Sequence, residues 1–161
     1  MRFSFTPGER RIRIVIVEYD ADDLRSVALT AWKEARGDGD MAMRAVMHVI
    51  KNRVGASGFA HDIHGVVFGK NQFSSMSVVG DPEFNLDPED DHVSPFDYAA
   101  WLYCREVVES VLNGTDADLT NGAKYYDNPK TATSGWFARA IVSDPINHPL
   151  VATIGKQNFY K

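Results

Sequence analysis

Cysteine is almost absent from this 161-residue chain, which contains Cys104 alone. A single cysteine excludes an internal disulfide and a zinc site built from several thiolates. A free cysteine is usually a small buried residue, so we expect Cys104 to lie in the core. The chain also lacks a run of about 20 apolar residues, the length that a membrane-spanning helix needs. We therefore expect a globular chain with no transmembrane segment.

Basic residues are too few for a typical nucleic-acid-binding protein. The chain has 17 lysines and arginines against 22 acids, a formal net charge of −5, whereas nucleic-acid affinity depends largely on basic groups that neutralise phosphates. The early apolar run at residues 14–17 is too short for the core of a signal peptide, and Glu18 follows it directly. We therefore expect no nucleic-acid partner, and synthesis in the cytoplasm without a cleaved signal peptide.

Residues 1–21 are predicted to form a basic arm in front of the main domain. Four arginines stand among the first fourteen residues, against the single acid Glu9. The residues 12–17, which are β-branched except for Arg13, predict a strand, and charged flanks favour an edge strand. Contact of the arm with an anionic glycan, a phospholipid or another protein is the alternative. Residues 22–161 are expected to form one domain.

Apolar residues recur at steps of three and four in two early segments, which predicts a helical hairpin. The first helix is expected to begin at an Asp22 or Asp23 cap and to end at a left-handed Gly37. The second is expected to start after Asp40 and to end at Gly55. Further helical segments are predicted at residues 63–68, 96–112 and 131–142. Residues 151–160 alternate like a small hairpin, so we expect a predominantly helical α+β fold with a small β element.

Residues 77–95 predict a solvated acidic loop, because they contain three prolines and little periodicity. A calcium loop that starts at Asp81 is the alternative. Leu86 stands where such a loop needs glycine, and His92 stands where it needs the final glutamate. The chain also lacks a His-Glu-x-x-His motif and a phosphate-loop lysine. We therefore expect no metal and no cofactor.

Glu34 is the candidate catalytic acid. It lies about 20° from Val27 around the first helix, at the edge of the apolar stripe and within a turn of the helix end. Apolar neighbours disfavour the charged form of a carboxyl, and a carboxyl that stays protonated can act as a general acid. The alternative is a surface glutamate paired with Lys33 or Arg36.

Five short motifs follow one another along the chain. They are Glu-Ala-Arg-Gly-Asp at 34–38, Asn-Arg-Val at 52–54, Gln-Phe-Ser at 72–74, Gly-Ala-Lys-Tyr-Tyr-Asp-Asn-Pro at 122–129 and Ile-Gly-x-x-x-Phe-Tyr at 154–160. Their order over residues 24–161 resembles the SleB/CwlJ-type cell-wall hydrolases, a family of peptidoglycan-cleaving enzymes found in spore germination and in phage lysis. The chain departs from the family pattern at Asp38, Asp127 and Asn158, where glutamate, asparagine and histidine are frequent.

The resemblance implies a lysozyme-like fold, akin to the soluble lytic transglycosylases, and glycan strands of peptidoglycan as the substrate. It also implies that Glu34 is the catalytic acid. Four residues fall where the family lines its glycan groove, namely Gln72, Ser74, Tyr125 and Tyr126. Because side chains alternate along a strand, only one of the two tyrosines is expected to reach the site.

The expected reaction is cleavage of the β-1,4 bond between N-acetylmuramic acid and N-acetylglucosamine. A protonated Glu34 would donate to the glycosidic oxygen and then take the proton of the muramic C6 hydroxyl, which closes a 1,6-anhydro ring. The alternatives are a hydrolytic muramidase, with Asp38 or Asp40 as second acid, and an inactive wall-binding or virion structural module. We expect a role in phage lysis or wall remodelling, with dependence on a holin or association with a virion.

Overall fold

The computed structural model describes residues 18–90, 92–131 and 135–161, so the strand predicted at residues 12–17 lies outside the described residues. In chain order the helices are α1 (Ala21–Ala35), α2 (Asp40–Arg53), α3 (Ile63–Phe68), α4 (Ser74–Ser77) and α5 (Pro95–Asn113). The predicted hairpin of α1 and α2 is present, and the long helix α5 packs against both of its members. In the described part of the chain, no helix is both long enough and apolar enough to cross a membrane.

The ends of α1 differ from the sequence prediction. Asp20 is the cap, and it accepts a hydrogen bond of 2.8 Å from the backbone N–H of Asp23. The Asp23 carboxylate in turn accepts a hydrogen bond from the backbone N–H of Asp20. A cap at this position therefore satisfies two donors that would otherwise lack partners. Gly37 lies in a 3₁₀ turn that follows the helix, and the left-handed residue is Gly39, with φ of 91°. The predicted caps at both ends of α1 are therefore wrong by two or three residues.

The core lies where α1, α2 and α5 meet. Its fully buried side chains include Trp32 from α1, Ile50 from α2 and Trp101 from α5. Cys104 is buried among them, as predicted. Burial raises the pKa of its thiol to about 12, so the residue packs as a neutral group.

A small antiparallel sheet completes the fold. Its strands are β1 (Tyr125–Asp127), β2 (Leu150–Ile154) and β3 (Gln157–Tyr160), in the spatial order β1-β3-β2. The hairpin predicted for residues 151–160 is confirmed as β2 and β3. Part of the helix predicted over 131–142 lies outside the described residues, and the rest contains a short π-helical turn at Ala138–Val142. Phe159 of β3 packs on Ala45 and Val49 of α2. This contact fixes the sheet against the hairpin.

Candidate active site

Glu34 lies in the last turn of α1, half-buried, with its carboxylate held by two hydroxyl groups. The Ser75 hydroxyl donates to Oε1 at 2.6 Å, and the Tyr126 hydroxyl donates to Oε2 at 3.1 Å. These donors stand 41 and 92 residues further along the chain. The carboxylate therefore marks the point where α1, α4 and β1 meet.

Tyr126 is locked in position by its ring and its hydroxyl together. The ring stacks on Phe159 with centroids 5.7 Å apart. Burial, together with the nearby carboxylate of Glu34, raises the pKa of Tyr126 well above its ordinary value. The hydroxyl therefore keeps its proton at any physiological pH and acts as a donor to Glu34.

Tyr125 has different neighbours. Its ring lies 5.8 Å from that of Phe59 and 5.1 Å from that of His148, measured between centroids. Of the two tyrosines that the sequence indicated, Tyr126 is the one whose hydroxyl contacts Glu34. The alternation of side chains along β1 accounts for this division.

Gln72 is connected to this region through Arg53, a residue that the sequence analysis did not single out. The Arg53 guanidinium donates to the Gln72 side chain at 3.3 Å and to the carbonyl of Lys124 at 2.7 Å. It lies over the rings of Phe59 and Phe73, about 5 Å from each centroid. Burial lowers the pKa of Arg53. The Asn-Arg-Val motif was the signal for it, but the motif does not show what the guanidinium binds.

Ser75, the neighbour of Ser74, supplies one of the hydroxyls that hold Glu34. Ser74 is exposed, and its hydroxyl donates to Asp81 at 2.6 Å rather than to the Glu34 carboxylate. Ser75 is buried and donates to Glu34. Helix α4 has only four residues, so its sequence has no periodicity from which the inward face could be chosen.

The cations beside Glu34 in sequence do not pair with it. Arg36 binds the carboxylates of Glu83 and Asp97. Lys33 donates to two backbone carbonyls, at 3.2 Å to Ser75 and at 2.9 Å to Phe84. The alternative in which Glu34 is a surface glutamate paired with Lys33 or Arg36 is therefore wrong.

The acidic loop is mostly exposed, as predicted, and several of its acids also pair with cations of α1 and α5. Glu83 pairs with Arg36, and Asp87 pairs with Arg25 at 3.0 Å. Glu89 lies 3.4 Å from Arg105. These partners stand 16 to 62 residues away in sequence, so composition alone did not reveal them.

Neither of the two acids considered for a hydrolytic mechanism is a hydrogen-bond partner of Glu34. Asp38 forms an ion pair of 3.0 Å with Lys156 and lies 3.5 Å from the Gln157 amide. Asp40 is exposed at the start of α2. Within the described ranges, no group of three or more histidine, cysteine, aspartate or glutamate residues could hold a metal ion.

The fold and this site define a predominantly helical, lysozyme-like α+β domain, the fold class that the sequence analysis expected. Glu34 lies at the meeting point of its elements. A family model described as "Cell Wall Hydrolase" matches residues 37–160 and begins three residues after Glu34. The chain belongs to the cell wall hydrolase family. The family predicted from the sequence motifs is thereby confirmed.

Relatives and solved structures agree with this assignment. The chain is 32% identical to a spore cortex-lytic enzyme of Oceanobacillus iheyensis over 89% of the chain and 43% of that protein. It is 31% identical to a spore cortex-lytic enzyme of Halalkalibacterium halodurans over 88% of the chain and 35% of that protein. The chain thus spans less than half the length of these curated relatives.

Two solved structures superpose on nearly the whole chain. The catalytic domain of the Bacillus cereus SleB protein has a TM-score of 0.65 and 30% identity, and the match covers 96% of this chain and 100% of that one. The catalytic domain of a germination-specific lytic transglycosylase, SleB of Bacillus anthracis, also has a TM-score of 0.65 and 30% identity, over 91% of this chain and 100% of its own.

Proposed function

We propose that residues 22–161 form a catalytic domain that cleaves the β-1,4 bond between N-acetylmuramic acid and N-acetylglucosamine in bacterial peptidoglycan. The observation that carries this proposal is the half-buried Glu34 carboxylate, held by the hydroxyls of Ser75 and Tyr126. The similarity to spore cortex-lytic enzymes and to the catalytic domain of a lytic transglycosylase supports it.

In the proposed reaction Glu34 acts first as acid and then as base. Protonated Glu34 donates to the glycosidic oxygen while the bond from that oxygen to the muramic C1 breaks, through an oxocarbenium-like state. The carboxylate then accepts the proton of the muramic C6 hydroxyl as its oxygen bonds to C1, which closes the 1,6-anhydro ring. The two hydroxyl donors hold the carboxylate in place between these proton transfers.

The surroundings of Asp38 and Asp40 support transglycosylation over hydrolysis. A glycosidase that uses water or a carboxylate nucleophile needs a second carboxyl group across the scissile bond. Asp38 is engaged by Lys156, and Asp40 is exposed at the first turn of α2. An attack by the substrate's own hydroxyl needs Glu34 alone.

We place the glycan strand next to Gln72 and Tyr125, beside the catalytic carboxylate. The rings of Tyr125 and Phe59 lie close to each other, and aromatic rings of this kind provide apolar surface with polar edges, which suits sugar rings. Ser74 is the groove residue with the least structural support, because its hydroxyl is held by Asp81. The predicted setting in phage lysis or wall remodelling, and the dependence on a holin or a virion, stay predictions.

Product mass tests the reaction class. Purified peptidoglycan is digested with the wild-type chain, and the released fragments are weighed before and after borohydride reduction, with Glu34→Gln as the inactive control. We expect fragments that are one water lighter than hydrolysis products and that resist reduction. Reducible ends would indicate a muramidase instead. A folded wild-type chain that releases nothing would support the inactive wall-binding module.

A further inference from the structure

Lys33 is a buried cation next to the proposed catalytic acid. Only 8% of its surface is exposed, although lysine is almost never buried without partners. Its ammonium donates to the backbone carbonyls of Ser75 and Phe84. Burial lowers its pKa, and the acids of the neighbouring loop, Glu83 foremost, oppose that change. Burying an ammonium group is unfavourable unless it is hydrogen-bonded, so the two bonds to these carbonyls stabilise Lys33 in its buried position.

Lys33 and Glu34 bind the same residue from consecutive positions of α1. Lys33 holds the carbonyl of Ser75 at 3.2 Å, and Glu34 accepts from the hydroxyl of Ser75 at 2.6 Å. Helix α4, which contains Ser75, has four residues, too few to hold its own orientation. The direction of the Ser75 hydroxyl therefore depends on contacts from outside α4.

The second carbonyl bound by Lys33 belongs to the acidic loop. Phe84 lies nine positions beyond Ser75, and the ammonium connects both to α1. We propose that Lys33 is a positioning residue, whose ammonium fixes the backbone of Ser75 so that the Ser75 hydroxyl stays directed at Glu34. This inference rests on the proposed function, since it assigns a role in the reaction of Glu34.

Arg25 supplies a matched control for this role. It stands on the same helix and also binds the acidic loop, through Asp87 at 3.0 Å. Its side chain is 43% exposed, and its guanidinium donates to Asp87 rather than to Ser75. Arg25→Met therefore removes a cation and a loop contact while leaving Ser75 untouched.

The experiment measures kcat and KM on soluble glycan strands for the wild type and for Lys33→Met, Ser75→Ala, Arg25→Met and the Lys33→Met/Ser75→Ala double variant. We expect Lys33→Met to lower kcat roughly tenfold, within the range that small displacements of catalytic groups produce. KM should change less than about twofold, since Lys33 is buried and contacts Ser75 rather than the groove. Arg25→Met should keep kcat within about twofold of the wild type. Thermal unfolding of each variant shows that it is folded at the assay temperature.

The double variant separates positioning from a merely structural effect. If Lys33 acts through the Ser75 hydroxyl, Lys33→Met should cost less than about twofold in kcat once Ser75 is alanine. Losses that multiply, or a kcat for Lys33→Met equal to that of the wild type, would overturn the inference. Should Lys33→Met not fold, Lys33→Gln keeps neutral N–H donors on a shorter side chain, and it is expected to lower kcat by a smaller factor with KM unchanged.

Failure of this inference differs from failure of the proposed function. A wild-type chain that releases no glycan product would overturn the proposed function, and with it the role assigned here. An active wild type with a wild-type-like Lys33→Met would overturn only the positioning role. Amide hydrogen exchange gives a readout apart from activity, since Lys33→Met should speed exchange at residues 74–84 and Arg25→Met should not. Unchanged exchange in Lys33→Met would contradict the inference.

Discussion

Two polar clusters are built against the helical hairpin, and they use opposite kinds of partner. At the first, Glu34 accepts from two neutral hydroxyls, those of Ser75 and Tyr126. At the second, His48 is 1% exposed, and its Nε2 lies 2.7 Å from the carboxylate of Asp116. A proton that moves to or from Glu34 leaves its two donors neutral. A proton that moves to or from His48 changes the charge next to the Asp116 carboxylate.

The His48 cluster has a partner for each of its charges. Asp116 also binds Arg44 at 3.2 Å. Asp118 accepts hydrogen bonds from the Asn52 side chain, the Thr120 backbone and hydroxyl, and the Gly122 backbone. A change of charge there would leave a partner uncompensated, which is costly in a buried place. The comparison indicates that the Glu34 cluster suits proton transfer, whereas the His48 cluster suits stability.

The largest expected effect follows from neutralising Glu34, which tests whether its cluster carries the proton transfer. Glu34→Gln keeps an acceptor for one hydroxyl and removes the transferable proton, so we expect the rate to fall by at least ~10²-fold. The melting temperature should stay within a few degrees, because the amide is nearly the same shape. Release of soluble fragments and thermal unfolding measure the two effects. A variant that clears cell walls at close to the wild-type rate would exclude Glu34 as the acid.

The two neighbouring tyrosines allow the contribution of one hydroxyl donor to Glu34 to be measured. Tyr126→Phe removes a donor to Glu34 and should lower kcat by roughly tenfold, about the value of one hydrogen bond to a charged group. Tyr125→Phe keeps the ring that packs on Phe59, so its kcat should change by less than about threefold. Initial rates of both variants on glycan strands provide the test. Equal, small effects would contradict the assignment of Tyr126.

At the other cluster we expect a loss of stability rather than of rate. His48→Ala leaves a cavity and removes one of the two partners of the half-buried Asp116, while Arg44 stays, so the free energy of unfolding should fall by about 2–4 kcal/mol. At 25 °C, where the variant is folded, the rate should stay within about twofold of the wild type. Urea unfolding and initial rates measure the two quantities. A large rate loss with intact stability would reverse the comparison.

The smallest expected effect is a pH dependence of stability at Asp118. Burial alone would raise the pKa of this carboxyl, but hydrogen bonds from Thr120, Asn52 and Gly122 outweigh it and lower the pKa. Because the folded pKa lies below the ordinary value of 3.8, the stabilisation is present above that pH and is lost as the pH falls through the folded pKa. The difference in the free energy of unfolding between the wild type and Asp118→Asn should therefore be largest above pH 3.8 and shrink as the pH falls through the folded pKa. A difference that stays constant with pH would show that this carboxylate does not contribute through its charge.

Local pattern was enough to predict the helical hairpin, the long helix α5 and the final strand pair. The helix predicted over residues 96–112, for example, is observed as α5, Pro95–Asn113. Apolar periodicity works over such lengths because each helix must bury one face whatever its partners are. The five motifs, read in order, also predicted the family and pointed to Glu34.

The contacts of Glu34 were decided by tertiary structure. Whether Ser74 or Ser75 faces the carboxylate depends on the rotation of a four-residue helix, and one position turns a helical side chain by about 100°. Lys33, which holds Ser75, contacts residues that stand 42 and 51 positions away. Side chains that meet over such separations share no local pattern. The sequence by itself thus determined the main helices and the strand pair, and it indicated Glu34 as the candidate acid. Only the packing of α1, α4 and β1 decided which hydroxyls hold that carboxylate, because hydrogen-bond geometry depends on ångström-scale placement that periodicity does not encode.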